Sequence, residues 1–254
     1  MLVDTHCHLD VNAFDEDRAH ILQRCQTLGI NKIVIPAIQR QSWDQLLTLC
    51  SADERLFPAL GLHPMFMENH QPNHLDDLSH YLTQRSVVAI GEIGLDFYHG
   101  KPNRAQQQSY FEAQLQIAVE HQLPVILHVR KAHDETLRLL KQASLPGGIV
   151  HAYSGNEQQA KHYIDLGFKL GFGGMLTYER SRKLRTLATK LPLEAIVLET
   201  DAPDMVVAQH QGQRNSPEYL IHCLAALTEI RQQSTESIAQ QTTLNAYHAL
   251  PKLN

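Results

Sequence analysis

His6 and His8 stand one residue apart in MLVDTHCHLD, and imidazoles at that spacing can hold a divalent metal ion. Alternate side chains of an extended chain share a face, so His6 and His8 project to one side and Cys7 to the other. A lone HxH is better read as a solvated or capping pair, so the two histidines need company. Glu92 follows the apolar run VVAIG, His128 follows VIL, His151 follows GIV and Asp201 follows IVLET. Each is an imidazole or carboxylate at the C-terminal end of a β-forming apolar run. An ionisable group there is costly to desolvate unless it is paired or ligated. Four imidazoles and two carboxylates suit two divalent ions, with Glu92 as the bridge. Two close ions acidify a shared water to hydroxide at neutral pH and hold the oxygens of a phosphoryl centre. Two dications against two carboxylates leave about +2, which favours an anionic substrate.

Such residues must be brought to one height by the elements that carry them. Eight short apolar runs (2–6, 32–37, 56–63, 86–95, 124–129, 147–153, 168–174 and 194–201) alternate with amphipathic helical patterns. In DEDRAHILQRCQTLG, Ile21, Leu22, Cys25 and Leu28 recur at helical spacing, and Gly29 is placed as a C-terminal stop. Strands separated by helices form a parallel sheet. Eight units in 254 residues predict an α/β protein, a single (β/α)8 TIM-type barrel domain over 1–254 with its chemistry at the C-terminal rim of the strands. A doubly wound open sheet would show a glycine-rich turn after its first strand, and HCHLD is not one.

The chain is 43% apolar and 19% charged, an ordinary globular composition. Its four cysteines are scattered without a CxxC pair and read as reduced thiols of a cytoplasmic protein. No signal peptide or membrane-spanning run is apparent. A net charge of −5 without a Lys/Arg block argues against an extended duplex-binding surface, so any nucleic-acid contact should be local.

The stretches DTHCHLD, GLHP, VVAIGEIGLDFY, LPVILHVRKA, GGIVHAYSG, VLETDAP and RNSP resemble the TatD-type metal-dependent hydrolases and deoxyribonucleases, a branch of the amidohydrolase-like barrels. The resemblance spans nearly the whole chain and is nearest the YjjV-like bacterial members. GEIGLD and ETDAP are its specific motifs. It implies His6, His8, Glu92 and Asp201 around one ion and Glu92, His128 and His151 around a second, with Asp201 as the general base. It admits Mg or Mn for nuclease work, and imidazole-rich ligation favours Zn. HVRKA and ETDAP depart from the HSRDA and ETDSP of many active nucleases, and Tyr153 stands where Phe is common. These changes spare the ligands and touch the substrate rim.

Further candidates lie around the same mouth. His63, in GLHP, and Arg130, two residues past His128, are read as phosphate or substrate donors. Tyr153 either stacks a base or walls the cleft. Arg214 and Asn215, in RNSP, contact substrate or begin a capped helix. Asp96 reads as an acceptor that fixes its loop or a ligand, and Trp43 as packing. His70, His74, His80, His99 and His248 read as mostly solvated. The function expected is metal-dependent hydrolysis of single-stranded DNA or DNA ends, with no membrane and no obligatory protein partner. The alternative is a small-molecule amidase, lactonase or esterase. A non-enzymatic barrel that uses its metals as structure is the weakest reading.

Overall fold

A computed structural model describes residues 1–98 and 103–254. Eight strands follow the eight apolar runs: β1 (Leu2–Asp4), β2 (Ile30–Pro36), β3 (Leu56–Leu60), β4 (Ala89–Asp96), β5 (Val125–Arg130), β6 (Gly148–Val150), β7 (Phe168–Phe172) and β8 (Ile196–Leu198). They form one parallel sheet in sequence order. The sheet curls until its edges meet: Thr5 N donates to Leu198 O at 3.1 Å, Asp201 N to His6 O at 2.8 Å, and His8 N to Ala202 O at 2.8 Å. The expected barrel is the observed one.

The helices on its outside are α1 (Arg18–Thr27), α2 (Trp43–Ala52), α3 (Asn73–Gln84), α4 (Arg104–Glu120), α5 (His133–Leu140), α6 (Glu157–Asp165), α7 (Arg182–Lys190), α8 (Leu220–Arg231) and α9 (Thr235–Ala249). Local signals set their ends. Gly29 turns the chain after α1 at φ +77°, a conformation that costs glycine little. Asn156 and Gln159 form a reciprocal capping box at the start of α6. Several apolar runs extend past the ladder that they announce. The run 147–153 is strand only over Gly148–Val150, and 194–201 only over Ile196–Leu198. The residues beyond are rim loops.

Two apolar layers result. The larger packs the helices onto the outside of the barrel and includes Trp43, whose ring is fully buried. The smaller fills the lower barrel, where Val3, Val34, Ala59, Ile126, Ile149 and Val197 meet. Ala246 and Leu250, in and just after α9, and Leu253 beyond it close that end, and Lys32 Nζ donates to Leu253 O. All four cysteines are free and buried. Among the described residues no helix is long and apolar enough to cross a membrane.

Candidate metal centre

Strand alternation carries the interior face from the apolar lower barrel up to the rim. Ala59 leads through Gly61 to His63, Ile126 to His128 and Arg130, Ile149 to His151, and Val197 to Glu199 and Asp201. Strands β1 and β4 depart from that period. Their pairing registers shift between Leu2 and Val3 and between Ile90 and Ile93. Val3 and Ala89 belong to the lower layer, yet His6 and Glu92, each three residues on, face the mouth. The irregularity of β4 brackets Glu92, whereas β1 ends at Asp4 and the chain beyond its ladder turns His6 and His8 toward the ionisable cluster.

Glu92 is the centre of that cluster and is only 2% exposed. Its Oε2 lies 3.1 Å from His6 Nε2 and 3.6 Å from His8 Nε2. Its Oε1 lies 2.9 Å from His128 Nδ1 and 3.2 Å from His63 Nε2. Asp201 Oδ1 stands 3.6 Å from the Nε2 atoms of both His6 and His8, and Oδ2 stands 3.6 Å from His151 Nε2. The His151 ring stacks on His6 with centroids 3.6 Å apart. The six expected ligands therefore meet in one cluster, with the carboxylates between the imidazoles.

Hydrogen bonds on the far side of the His8 and His128 rings decide which nitrogen faces in, while His6 Nδ1 has no such partner among the described residues. His8 Nδ1 donates to Pro36 O at 3.2 Å, so its Nε2 presents a lone pair inward. His128 Nε2 lies 3.0 Å from Asp96 Oδ2, which turns Nδ1 toward Glu92. Asp96 also accepts from Tyr98 N at 2.9 Å, the orienting role expected of it. His151 Nδ1 lies 3.0 Å from Glu199 Oε1, at ion-pair distance but without hydrogen-bond alignment. His63 differs: its Nδ1 accepts from Met65 N at 3.1 Å, so its Nε2 carries the proton and donates to Glu92. A ring in that tautomer is a donor to the carboxylate or to a substrate oxygen, not a ready ligand. The inward lone pairs, the two carboxylates and the outer carboxylate or carbonyl partners fit a divalent cation.

The electrostatics follow from this geometry. Burial opposes the charge on Glu92, but His63, His6 and the His128 hydrogen bond hold its carboxyl well below the usual range. Burial likewise opposes the charge on Asp201, and His151 outweighs it, bringing the carboxyl down to about 2. Both are carboxylates at neutral pH. Burial is the main cause that lowers His6 and takes His63 down to about 4. Burial acts the same way on His128 and His151. Asp96 and Glu92 overcome it at His128, raised to about 8, and Glu199 and Asp201 do so at His151. The carboxylates thus demand positive charge from whatever sits among them.

The backbone shows strain at the same height. Asp201 (φ +58°), Ala152 (φ +43°) and Lys131 (φ +57°) are non-glycine residues in left-handed conformation, each at or just after a rim residue. Two positioning residues escaped the sequence reading. Glu199 accepts from Ala152 N at 2.6 Å and backs His151; a second carboxylate two residues before Asp201 was the available signal. Asp4 is fully buried and accepts from the backbone N–H groups of His6 (3.2 Å) and Thr200 (3.0 Å) and from Thr200 Oγ1 (2.5 Å). It fastens the first strand to the last beneath the centre, and only barrel closure reveals the pair.

The substrate candidates divide. Arg130 stays open on the rim, its guanidinium over the Tyr98 ring at 3.6 Å and 4.0 Å from Asp96. Tyr153 is 2% exposed, donates to Asn156 O at 2.6 Å and lines a cavity beside the centre. Arg214 pairs with Asp17 at 2.5 Å, caps the Phe14 ring and bonds Ala13 O, so its contacts fasten the segment after β8 to the N-terminal segment. Asn215 is buried and donates to Thr200 O and Asp204 O, clamping the loop that holds Asp201, while Ser216 and Pro217 begin a short helical turn. His70 and His74 correct the expectation of solvated histidines. Both are buried, His70 donating to His63 O at 2.9 Å and His74 Nδ1 accepting from Gln71 N at 3.2 Å. His80 and His248 are exposed; His99 lies outside the described residues.

Comparison with known proteins points one way. The family described as TatD related DNase matches residues 3–251. The uncharacterized metal-dependent hydrolase YjjV of Escherichia coli K12 is 42% identical over 248 residues, 96% of each chain. Its crystal structure superposes with a TM-score of 0.95 at 41% identity, covering 98% of both chains. The 3'-5' ssDNA/RNA exonuclease TatD of Salmonella typhimurium LT2 is 32% identical over 252 residues, 96% of this chain and 97% of its own.

Proposed function

The chain belongs to the TatD-related DNase family of metal-dependent hydrolases, and on that premise we propose that it cleaves phosphodiester bonds at the ends of single-stranded DNA. In this reading His6, His8, Glu92 and Asp201 hold one divalent cation and Glu92, His128 and His151 hold a second. The observation that carries it is the division of Glu92, one oxygen toward His6 and His8 and the other toward His128. That is the arrangement a bridging carboxylate requires. The relative that acts on single-stranded DNA and RNA supplies the substrate class.

When bound, the cations acidify a water and draw charge from the phosphoryl oxygens. Asp201 accepts the proton of the attacking water. It is the more open carboxylate, 16% exposed against 2% for Glu92, and each of its contacts with the imidazoles is 3.6 Å, which leaves a lone pair for a proton. Asp96 and Glu199 keep the His128 and His151 rings turned inward. Arg130 meets a phosphate oxygen at the rim, where a planar guanidinium binds two oxygens at once. His63 keeps its Nε2 proton directed at Glu92 and the space above it.

The test uses protein stripped of metal and reloaded separately with Mg, Mn or Zn, given single-stranded DNA labelled at one end. Cleavage is expected with at least one ion and is lost in Asp201→Asn purified identically. Equal cleavage by both proteins overturns the assignment of Asp201. No cleavage by the parent carrying two ions overturns the nuclease reading and transfers it to small esters and amides.

A further inference from the structure

A cavity of about 580 Å³ opens beside the centre, between the segment after β6 and the start of α7. Its inner end is close to the chemistry. Ala152, which follows His151, lines it, as do Gly171 and Gly173, against which Glu199 packs. A Cβ on Gly171 would fall 2.2 Å from Glu199 Oε2, so only glycine leaves room there for the carboxylate that backs His151. The walls are apolar: Phe172, Met175, Leu184, Leu187 and Met205. The outer lip is cationic, carrying Arg180, Arg182 and Lys183. A second space of about 540 Å³ shares Ser154, Gly155, Arg182, Lys183 and Leu187 with the first and continues the groove outward past His133.

Three features of this groove go beyond what a barrel needs. A chain of net charge −5 concentrates three cations within four residues at one lip. Among the described residues Arg180, Arg182 and Lys183 make no ion pair, whereas Arg185 and Lys190, further along the same helix, are paired with Glu229 and Glu157. Helix α7 begins at this lip without an acidic residue in its first turn and without a side-chain cap, so its first N–H groups add to the positive field. The cavity lies within the range that small-molecule sites occupy, ~300–1,000 Å³. Methionine walls adapt to flat rings of different outline.

We propose that this groove is a nucleotide subsite: its apolar cavity takes one unstacked base of a single strand whose neighbouring phosphodiester lies at the metal centre. Arg180, Arg182 and Lys183 take the phosphates on the far side of that base. The inference rests on the reading of the centre as a single-strand phosphodiesterase, and it gives that enzyme grip on a strand without a broad basic face. The sequence signal was RSRK at 180–183, short enough to pass as an ordinary helix start.

The test is binding and cleavage measured on the same proteins. Fluorescence anisotropy with a labelled single-stranded 10-mer is run in the Asp201→Asn background loaded with metal. Replacing all three lip cations by Gln is expected to weaken binding about tenfold and to flatten the slope of log affinity against log salt by about 2, near 0.7 per lost phosphate contact. An abasic residue at the position beside the terminal phosphate is expected to weaken binding at least about fivefold, and Leu184→Trp, which fills the cavity, removes that difference. In the parent background the lip substitutions leave turnover of bis(4-nitrophenyl) phosphate unchanged, because that diester is too short to reach the lip. Unchanged oligonucleotide affinity and salt slope in the lip variant overturn the proposal, and equal binding of intact and abasic strands overturns its base pocket. A parent that binds strands through the lip yet cuts no phosphodiester overturns the nuclease reading and leaves the subsite standing.

Discussion

At the lower end of the barrel Val3, Val34, Ala59, Ile126, Ile149 and Val197 meet above Leu250 and Leu253. One or two pleats further along the same strands His63, His128, His151 and Asp201 meet around Glu92. The lower layer is wholly aliphatic and buries surface at roughly 25 cal/mol per Å². The upper layer buries charge, orphans His6 Nδ1 and Glu199 Oε2, and bends Asp201 and Ala152 into strained backbone. A single set of strands therefore separates holding the molecule together from acting on a substrate, within the length of a side chain or two. Stability belongs to the lower end and chemistry to the upper.

The largest effect that tests this division is chemical. Glu92→Gln or Asp201→Asn is expected to lower kcat/KM on the order of 10³-fold while the urea midpoint holds or rises. A fall in stability matching the fall in activity would erase the contrast between the layers. Substitution below should act the other way. Leu250→Ala and Ile126→Ala are each expected to cost ~2–5 kcal/mol in urea unfolding with kcat changed by no more than about twofold at a temperature where the variant is folded.

A third prediction concerns His133, buried against Tyr163 and Ser154 and in no ion pair among the described residues, with only the nearby charge of Asp134 opposing the effect of burial. Burial takes its pKa down to about 4. The unfolded chain, with an ordinary histidine near ~6.5, binds that proton first. The stability contribution is therefore complete above the unfolded value and is lost as pH falls toward about 4, by at most about 3 kcal/mol. His133→Gln should flatten that part of the stability profile measured by urea titration at each pH; an identical profile in the variant would remove His133 as the cause. The smallest effect belongs to Arg214→Ala. Its half-exposed pair with Asp17 predicts a loss of ~0.5–1 kcal/mol and less than about a twofold change in kcat/KM on an oligonucleotide. A tenfold loss of activity would return Arg214 to the substrate.

The regular strands were legible because their period is regular. Ile126 and His128, Ile149 and His151, and Val197 and Asp201 lie an even number of residues apart, and an apolar run ending in a ligand type is visible without coordinates. His6 and His8 were found by residue type and spacing and Glu92 by the apolar run before it, since the end of β1 at Asp4 and the register shift in β4 break the parity that links them to the lower layer. Asp4 and Glu199 were missed because their partners, Thr200 and His151, become neighbours only when the first strand meets the last and the sixth meets the seventh and eighth. The pairing of Arg214 was hidden for a similar reason: its partner Asp17 is 197 residues away. The buried His70 and His74 look in sequence like any loop and helix histidine.

Closure of the barrel at Asp4 and Thr200 bears on how the protein comes into being. Val3, Asp4 and His6 leave the ribosome long before Leu198, Thr200 and Asp201, which complete their surroundings, and Leu253 follows later still. Contacts that span this much of the chain form late and slowly. The first strand must wait until β8 has been made, and the ionisable cluster around Glu92 is complete only once Asp201 has followed it. Nascent chains stalled before residue 198 should therefore leave the first strand open to protease, and chains released after 253 should not.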